Sequence, residues 1–280
     1  IDLWNPDAVN WWKGMMDSVL AIGVDGWKCD GTDFLAGGTP YSGGKGGNIT
    51  RNEYSNAYYQ LFFDYSRQKN GIDRVITSRP IDNYGYDVGG DGVAFTPKDI
   101  SYACWVGDQD ATFDGLMKAL RNMYYSDQYG YLSFGSDIGG YREDAANPGL
   151  GRSKELFLRW AQMGAFCSIM ENGGGGEHRP WLFDNETTDV YRRFVKIHEA
   201  AVPYLMTTAD SVYKTHKAIM QFYNKTDFSY KLGPDIFVTP ILASGGTVSI
   251  NFPVGSNWVY LFDKTKTYTG GSSTTETFPI

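Results

Sequence analysis

Apolar stretches alternate with amphipathic stretches over most of the chain. Asn5, Pro6 and Asp7 mark a helix start, because Asn caps the first turn, Pro fits it and Asp lies at the positive end of the helix dipole. The pattern predicts a helix from there to about residue 23, and further helices over residues 52–70, 111–125, 152–163 and 187–200. Apolar runs between them predict strands over residues 24–30, 74–79, 102–106, 131–136 and 165–170, with a glycine-rich loop over residues 37–47.

Strands that alternate with helices in this way form parallel β/α units. Each predicted strand ends in polar or acidic residues, namely Lys28-Cys29-Asp30, Ser78-Arg79, Gly107-Asp108, Ser136-Asp137 and Glu171-Asn172. Functional groups of a (β/α)₈ barrel lie at the carboxyl ends of its strands. The pattern therefore predicts one active-site rim.

The pattern changes after about Lys214. Apolar runs over residues 235–242, 247–251 and 258–262 are separated by Gly and Pro turns, which indicates antiparallel strands. We therefore predict an α/β fold, in which residues 1–213 form about the last five β/α units of a (β/α)₈ TIM barrel. Residues 214–280 are predicted to form a small antiparallel β-sandwich domain.

A barrel needs eight strands and typically about 250 residues, whereas five β/α units precede the β-rich part. We expect the first strands of the barrel to lie in a parent chain and to be the missing partner of this one. Without them the first strand is an exposed sheet edge, so the isolated chain is expected to be inactive and prone to aggregation. An open doubly wound sheet is the alternative, but no phosphate-binding Gly motif follows a first strand.

Composition excludes several classes of protein. The chain has 280 residues, 42% of them hydrophobic, with 25 Lys and Arg against 32 Asp and Glu. A net charge of −7 argues against nucleic-acid binding. No apolar run reaches the roughly 20 residues that cross a bilayer. The cysteines and histidines lack the paired spacing of zinc ligands, which argues against a zinc site.

The three cysteines, Cys29, Cys104 and Cys167, have no framework spacing and are predicted to be buried thiols. Three Asn-x-Thr sequons begin at Asn48, Asn185 and Asn224. This tripeptide is common by chance, so it gives only slight support to a secreted or lumenal location.

The first candidate for chemistry is Asp30. Strand alternation places Lys28 on the same side, and a neighbouring cation favours the ionised carboxylate that a nucleophile requires. An ordinary surface salt bridge is the alternative reading of this pair.

The second candidate is Asp108, which follows another strand and lies close to Trp105. An aromatic neighbour that excludes water suits a general acid. Asp110 is assigned the plainer task of capping the next helix. Two carboxylates on one rim are the minimum machinery for glycoside hydrolysis, although metal-assisted phosphoryl transfer also uses paired Asp residues.

Several motifs, in order and spacing, resemble glycoside hydrolase family 31. They are Asn5-Pro6 with Trp11-Trp12, Gly26-Trp27-Lys28-Cys29-Asp30, Trp105-Val106-Gly107-Asp108, the Phe134 to Tyr141 segment, the Arg159 to Phe166 segment and the Asp235 to Leu242 segment. The resemblance implies a retaining α-glycosidase that hydrolyses terminal non-reducing α-linked sugars by double displacement without a cofactor. It implies Asp30 as nucleophile, Asp108 as general acid/base and Asp137 as a residue that contacts the sugar or supports its loops.

The chain departs from the glucosidase members of the family at three places. Gly31-Thr32-Asp33 follows the nucleophile where Met-Asn-Glu is common, Ile100-Ser101 replaces an Arg-Trp pair, and Glu171-Asn172-Gly173 replaces an Arg-x-His motif. The sugar is therefore left open between glucose-type, galactose-type and N-acetylgalactosamine-type pockets.

Candidate sugar ligands lie mainly in the segment that follows the last predicted strand. His178 and Arg179 are predicted to bind hydroxyls, with Glu171 or Asn172 accepting others, and Trp105 and Trp181 are candidate stacking platforms. The alternative is that Arg179 pairs with Glu177 on the surface of a glycine-rich lid.

Three other functions are weighed against a glycosidase that acts on oligosaccharide or glycoside substrates. They are an α-transglycosylase of the same family, a carbohydrate-binding fragment without turnover, and a metal-dependent phosphatase that uses the Asp cluster.

Overall fold

The computed structural model of the protein describes residues 1–30, 41–81 and 96–280. The segment Gly31-Thr32-Asp33 and the first part of the predicted glycine-rich loop lie outside these described residues.

The α-helices follow the predicted pattern. They are α1 (Pro6–Leu20), α2 (Arg51–Asn70), α3 (Phe113–Tyr129), α4 (Lys154–Gly164) and α5 (Asn185–Val212). Each begins at a side chain that accepts a hydrogen bond from a backbone N–H of the first turn, as local sequence favours. These capping residues are Asn5, Thr50, Thr112, Ser153 and Asp184.

Parallel strands form the sheet on which the rest of the first part is built. They are β1 (Gly26–Lys28), β4 (Val75–Ser78), β5 (Ala103–Trp105) and β6 (Phe134–Gly135), hydrogen-bonded in the order β1-β4-β5-β6. A hairpin of β2 (Tyr41–Ser42) and β3 (Gly47–Asn48) precedes α2. Because the sheet is parallel, the carboxyl ends of its strands lie along one edge.

Antiparallel sheets make up the last part of the chain. One sheet contains β7 (Met220–Phe222), β8 (Tyr230–Leu232) and β9 (Ile236–Val238). Two antiparallel pairs follow. Strand β10 (Thr247–Asn251) pairs with β13 (Ser273–Thr277), and the pair of β11 (Trp258–Tyr260) with β12 (Asp263–Tyr268) lies between them in the sequence.

The predicted strand over residues 165–170 is wrong. The N–H groups of Phe166 and Cys167 donate back to carbonyls of Met163 and Gly164, at 2.9 and 3.1 Å, so they form a turn after α4. The Ser168 hydroxyl accepts from the Phe134 N–H and donates to the Phe134 carbonyl, at 2.9 and 3.1 Å. The Ser168 side chain thus makes the hydrogen bonds to β6 that the backbone of a strand would make. Further along the chain, Asp137 and Glu171 form a single parallel bridge.

Helix α5 is longer than the sequence predicts, because it continues through Pro203 to Val212. Leu205 and Thr208 lie beyond the proline and are buried against the core. Packing of this late segment therefore outweighs the backbone hydrogen bond that proline cannot make.

Two clusters of buried side chains support the sheet. One packs α1 and α2 on β1 and β4 around Met16, Tyr59 and Ile76. The other packs α3 and α4 on β5 and β6 and continues into β7 and β8, with Phe134 and Trp160 fully buried. No helix in the described part of the chain is both long enough and apolar enough to cross a membrane.

Helix α3 makes a close backbone contact with the segment before it. A Cβ atom on Gly115 would lie 1.9 Å from the Asp110 carbonyl oxygen, which is far inside the contact distance. The contact holds residues 108–112 against the first turn of the helix. Gly14 in α1 is the opposite case, since a Cβ atom there would meet nothing within 4 Å.

We expect Gly115→Ala to lower the free energy of unfolding by about 1–3 kcal/mol, because the added methyl group displaces the 108–112 segment. Gly14→Ala should instead raise it by up to about 1 kcal/mol, since alanine is the better helix former. Urea denaturation of the intact protein measures both. Equal stability of the two variants would contradict the close approach.

Candidate active site

Polar side chains converge where the parallel strands end, and we call this edge the rim. Lys28 and Asp30 come from the end of β1, Arg79 from β4, Asp108 from the segment after β5, and Asp137 from the segment after β6. The Cys29 N–H donates to the Thr77 carbonyl at 2.8 Å and the Val106 N–H to the Gly135 carbonyl at 3.1 Å, which extends the ladder towards these residues.

One guanidinium contacts both candidate catalytic carboxylates. Arg79 Nη1 lies 2.7 Å from Asp108 Oδ1, and Arg79 Nη2 lies 3.1 Å from Asp30 Oδ1. Strand β4 lies between β1 and β5, so Arg79 is centred between the two acids. The Arg79 side chain is 2% exposed, Asp108 15% and Asp30 55%. Asp30 is thus the acid most open to an incoming molecule.

A second charged cluster lies beside the first. Lys28 Nζ donates to Glu171 Oε1 and lies 3.7 Å from Asp137 Oδ1. Burial acts to lower the pKa of Lys28, but the negative charges of Asp137 and Glu171 and the hydrogen bond to Glu171 outweigh it, and the pKa is raised. Lys28 therefore stays cationic.

Asp137 is almost fully buried within this cluster. Burial raises its pKa to about 8, and a hydrogen bond to Glu171 and the charges of Glu171 and Asp108 act in the same direction, while Lys28 opposes them. Its Oδ2 atom is buried and accepts no hydrogen bond from the described residues. We infer that Asp137 is protonated at neutral pH, which leaves Glu171 as the counter-ion of Lys28.

Trp105 lies beneath both clusters. Its ring has Lys28 Nζ at 4.5 Å and the Arg79 guanidinium at 5.6 Å from the centroid, and the residue is 1% exposed. Its face is occupied by the two cations, an arrangement in which cation–π attraction holds both. The structure thus places Trp105 as a floor under the charges, while its candidate role as a sugar platform stays a prediction.

The candidate ligands after Glu171 contact mainly one another. His178 Nδ1 lies 2.8 Å from Asn172 Oδ1, and its Nε2 lies 3.1 Å from the Gly175 carbonyl. Burial and the charge of Arg152 lower the pKa of His178 to about 4, so the ring is neutral. Arg179 forms a two-pronged ion pair with Glu177 at 2.8 Å, which is the alternative that the sequence offered. Trp181 is 64% exposed on the 3₁₀ turn Pro180–Leu182.

Arg152 is a structural residue that the sequence pattern did not single out. Its buried guanidinium donates to the carbonyls of Gly139, Gly140, Gly175 and Glu177. It therefore joins the loop after β6 to the glycine-rich segment around His178. No spacing in the sequence indicates this, because all four acceptors are backbone atoms.

Asp110 does not cap α3, and this prediction is wrong. Thr112 is the cap, since its hydroxyl accepts from the Gly115 N–H at 3.0 Å. Asp110 instead pairs with Arg142 Nε at 2.7 Å and forms a backbone bridge with the same residue. The helix begins two residues later than the cap prediction requires, which frees this carboxylate to tie the loops after β5 and β6 together.

The three cysteines are buried with free thiols, as predicted. Burial raises the pKa of Cys29, and it raises the pKa of Cys104 and of Cys167 to about 12, so none is a ready thiolate nucleophile. Within the described residues, no group of three or more His, Cys, Asp or Glu side chains has the arrangement of a metal site.

Comparison with known proteins identifies a family and several curated relatives. A model described as the glycosyl hydrolases family 31 TIM-barrel domain matches residues 1–208. An alpha-xylosidase of Emericella nidulans is 25% identical over 298 residues, covering 99% of this chain and 35% of the relative. An isomaltosyltransferase of Sporosarcina globispora is 27% identical over 285 residues, covering 92% of this chain and 24% of the relative. The chain thus spans about a quarter to a third of the length of these relatives.

A solved structure shows the same fold. A family 31 sulfoquinovosidase from E. rectale, in complex with an aza-sugar inhibitor, superimposes with a TM-score of 0.78 at 22% identity, covering 99% of this chain and 42% of that one. This likeness and the matched barrel domain confirm the predicted fold class, a partial TIM barrel followed by antiparallel β-structure.

The protonated state of Asp137 makes stability depend on pH. An acid whose pKa rises from 3.8 to about 8 on folding binds its proton more tightly in the native state, so stability falls as pH rises through that interval. We expect Asp137→Asn to remove this fall, with a change of a few kcal/mol at most, since one pKa unit corresponds to about 1.4 kcal/mol.

Urea denaturation of the intact protein between pH 4 and 9 measures the effect. Asp189→Asn, at a carboxylate that is 74% exposed on α5, is the matched control and should leave the pH dependence unchanged. If the free energy of unfolding depends on pH in the same way in the wild type and in Asp137→Asn, Asp137 is not protonated in the folded protein.

Proposed function

The chain belongs to glycosyl hydrolase family 31, and from this premise we propose that the intact protein is a retaining α-glycosidase. Asp30 is the nucleophile and Asp108 the general acid/base of the proposed reaction. The substrate is the terminal, non-reducing sugar of an α-linked glycoside.

The observation that carries the proposal is the shared contact of both acids with Arg79, at 3.1 and 2.7 Å. Retaining enzymes need two carboxyl groups about 5–5.5 Å apart, so that one attacks the sugar while the other reaches the leaving oxygen. Two carboxylates on the two nitrogens of one guanidinium meet this need for proximity. Their unequal exposure also suits the roles, because the more open Asp30 is the one that has to meet the anomeric carbon.

In the first step, an Asp30 oxygen bonds to the anomeric carbon as the bond from that carbon to the leaving oxygen breaks. The leaving oxygen takes the proton of Asp108. Asp30 loses its negative charge by forming an ester, and Asp108 gains one by losing its proton. The total charge beside Arg79 stays constant, so a single fixed cation serves both sides of the step.

In the second step, Asp108 takes a proton from water, whose oxygen bonds to the anomeric carbon as the ester bond to Asp30 breaks. The sugar leaves with its original α configuration and Asp30 is a carboxylate again. A sugar hydroxyl that replaces this water gives a transglycosylase, and the isomaltosyltransferase among the relatives makes transfer the second candidate function.

The proposal covers the class of substrate, a terminal α-linked sugar, and does not name the sugar. The curated relatives include an alpha-xylosidase and an isomaltosyltransferase. Initial rates of the intact protein on chromogenic α-glucoside, α-xyloside, α-galactoside and α-N-acetylgalactosaminide assign the sugar. Product analysis at high substrate concentration separates hydrolysis from transfer.

We expect Asp30→Asn to abolish turnover, because the amide cannot form the glycosyl ester. Asp108→Ala should lower kcat by about 10²–10⁴ on poor leaving groups, and added azide should restore turnover of activated substrates with an α-glycosyl azide as product. Asp25→Asn, at an exposed carboxylate of the same segment, should keep full activity. Full activity of Asp30→Asn would rule out the assignment.

The shared counter-ion gives a separate expectation for Arg79. Arg79→Met should lower kcat by about 10²–10³, because the charge that moves from Asp30 to Asp108 loses its stabilising cation. Arg79→Lys, which keeps the charge, should recover much of the activity and return the pH–rate profile towards that of the wild type. Equal losses in both variants, with unchanged pH–rate profiles, would mean that Arg79 serves only the fold.

A further inference from the structure

The cations of the rim are already matched by carboxylates of the rim. Lys28 contacts Glu171, and Arg79 contacts Asp30 and Asp108. With Asp137 protonated, and with Asp108 carrying the proton of the proposed general acid, two positive side chains face the two carboxylates of Asp30 and Glu171. Among the described residues of the rim, an anionic group therefore meets no unbalanced positive charge.

The neighbouring cations are engaged in the same way. Arg142 pairs with Asp110 at 2.7 Å, and Arg179 pairs with Glu177 at 2.8 Å. The Arg152 guanidinium donates its hydrogen bonds to backbone carbonyls. His178 is neutral, because its pKa is lowered to about 4.

The parts of the sequence outside the described residues do not supply another cation. Residues 31–40 and 82–95 contain no Lys, Arg or His, and they contain four acids, Asp33, Asp82, Asp87 and Asp91. The charged side chains of these two segments are therefore all acidic.

Glu171 decides whether Lys28 is available. Lys28 and Arg79 are the two cations that the structure describes at the rim. Lys28 is the more accessible of them, since its side chain is 46% exposed and that of Arg79 is 2% exposed. A lysine with three N–H donors on a flexible stem is a ready partner for a sulfonate or carboxylate group. Here the Glu171 carboxylate occupies that position.

We propose that this site takes uncharged α-glycosides and rejects sugars with an anionic group, and that Glu171 sets this selectivity by neutralising Lys28. The inference rests on the proposed glycosidase function and specifies its substrate class. If it holds, this chain differs in substrate charge from two curated relatives and a solved structure that are named sulfoquinovosidases.

The test compares two substrates that differ in one group. 4-Nitrophenyl α-glucoside and 4-nitrophenyl α-sulfoquinovoside differ by a hydroxyl or a sulfonate on C6. For the intact wild-type protein, we expect kcat/KM to favour the neutral substrate by at least about 100-fold, because placing like charges together is strongly unfavourable. A ratio near one, or a preference for the sulfonate, would overturn the proposal.

Glu171→Gln tests the role of the carboxylate. We expect this variant to raise kcat/KM for the sulfoquinovoside, because Lys28 regains an unbalanced charge. The preference for the glucoside over the sulfoquinovoside should therefore fall about tenfold. The double variant Lys28→Met with Glu171→Gln should lose this gain. Glu276→Gln is the matched control. Glu276 lies on β13 and pairs with Lys266 of β12 at 2.9 Å, and its substitution changes the net charge of the protein by the same amount. An unchanged ratio in a folded Glu171→Gln variant would refute the role of Glu171.

A measurement on the wild type keeps the proposal testable if Glu171→Gln does not fold. Raising the salt concentration should improve kcat/KM for the sulfonate and leave the glucoside unaffected, because salt screens repulsion. A fall on the sulfonate would reveal an attractive cation and would contradict the proposal.

The two proposals fail in different ways. If Asp30-dependent turnover is absent on both substrates and on the other chromogenic α-glycosides, the proposed function is at fault, and calorimetric binding of the methyl α-glycosides of the two sugars then decides the selectivity. If the sulfoquinovoside is turned over as fast as the glucoside and this turnover depends on Asp30, the glycosidase proposal is supported. The proposed selectivity for uncharged glycosides is then rejected.

Discussion

The buried guanidinium of Arg79 is the interaction on which the arrangement of the rim depends. A charge that is 2% exposed needs partners, and removal of one partner from a buried ion pair costs about 3–5 kcal/mol. Asp30 and Asp108 meet that need from either side, since β4 lies between the two strands that lead to them. The fold thus requires for its own stability the same proximity of two carboxylates that double displacement requires for catalysis.

A second ion pair lies beside the first. Lys28 reaches across the rim to Glu171, and both cations lie over the ring of Trp105, at 4.5 and 5.6 Å. A buried aromatic floor keeps water from one side of the charges, so their attraction is stronger than at an open surface. The result is a chain of alternating charges along the strand ends with its cations fully matched.

Backbone contacts away from the charges hold the loops that present them. Arg152 donates to four carbonyls of two loops, and the bare Cα of Gly115 lets the Asp110 segment lie directly against α3. Asp110 then joins the same segment to Arg142. These contacts place the loops after β5 and β6 before any substrate arrives, which lowers the entropy that binding has to overcome.

Local sequence patterns were enough to predict the order of the helices and of the described parallel strands, the Asn5 cap of α1, and the position of Asp30, Asp108, Asp137 and Glu171 at the rim. These follow from local patterns, because hydrophobic period and capping chemistry act over a few residues. The same logic places Arg79 at the end of a predicted strand, but it does not say which groups the guanidinium contacts.

Contacts between distant segments produce the features that local patterns cannot encode. The strand predicted over residues 165–170 gave way to a turn because Ser168 bonds to Phe134, more than thirty residues away in sequence. The pairing of Lys28 with Glu171 and the sharing of Arg79 join residues far apart in the chain, and the proton on Asp137 depends on burial that only packing produces. Sequence therefore determined which groups reach the rim, whereas the three-dimensional contacts between distant segments determined how their charges are balanced.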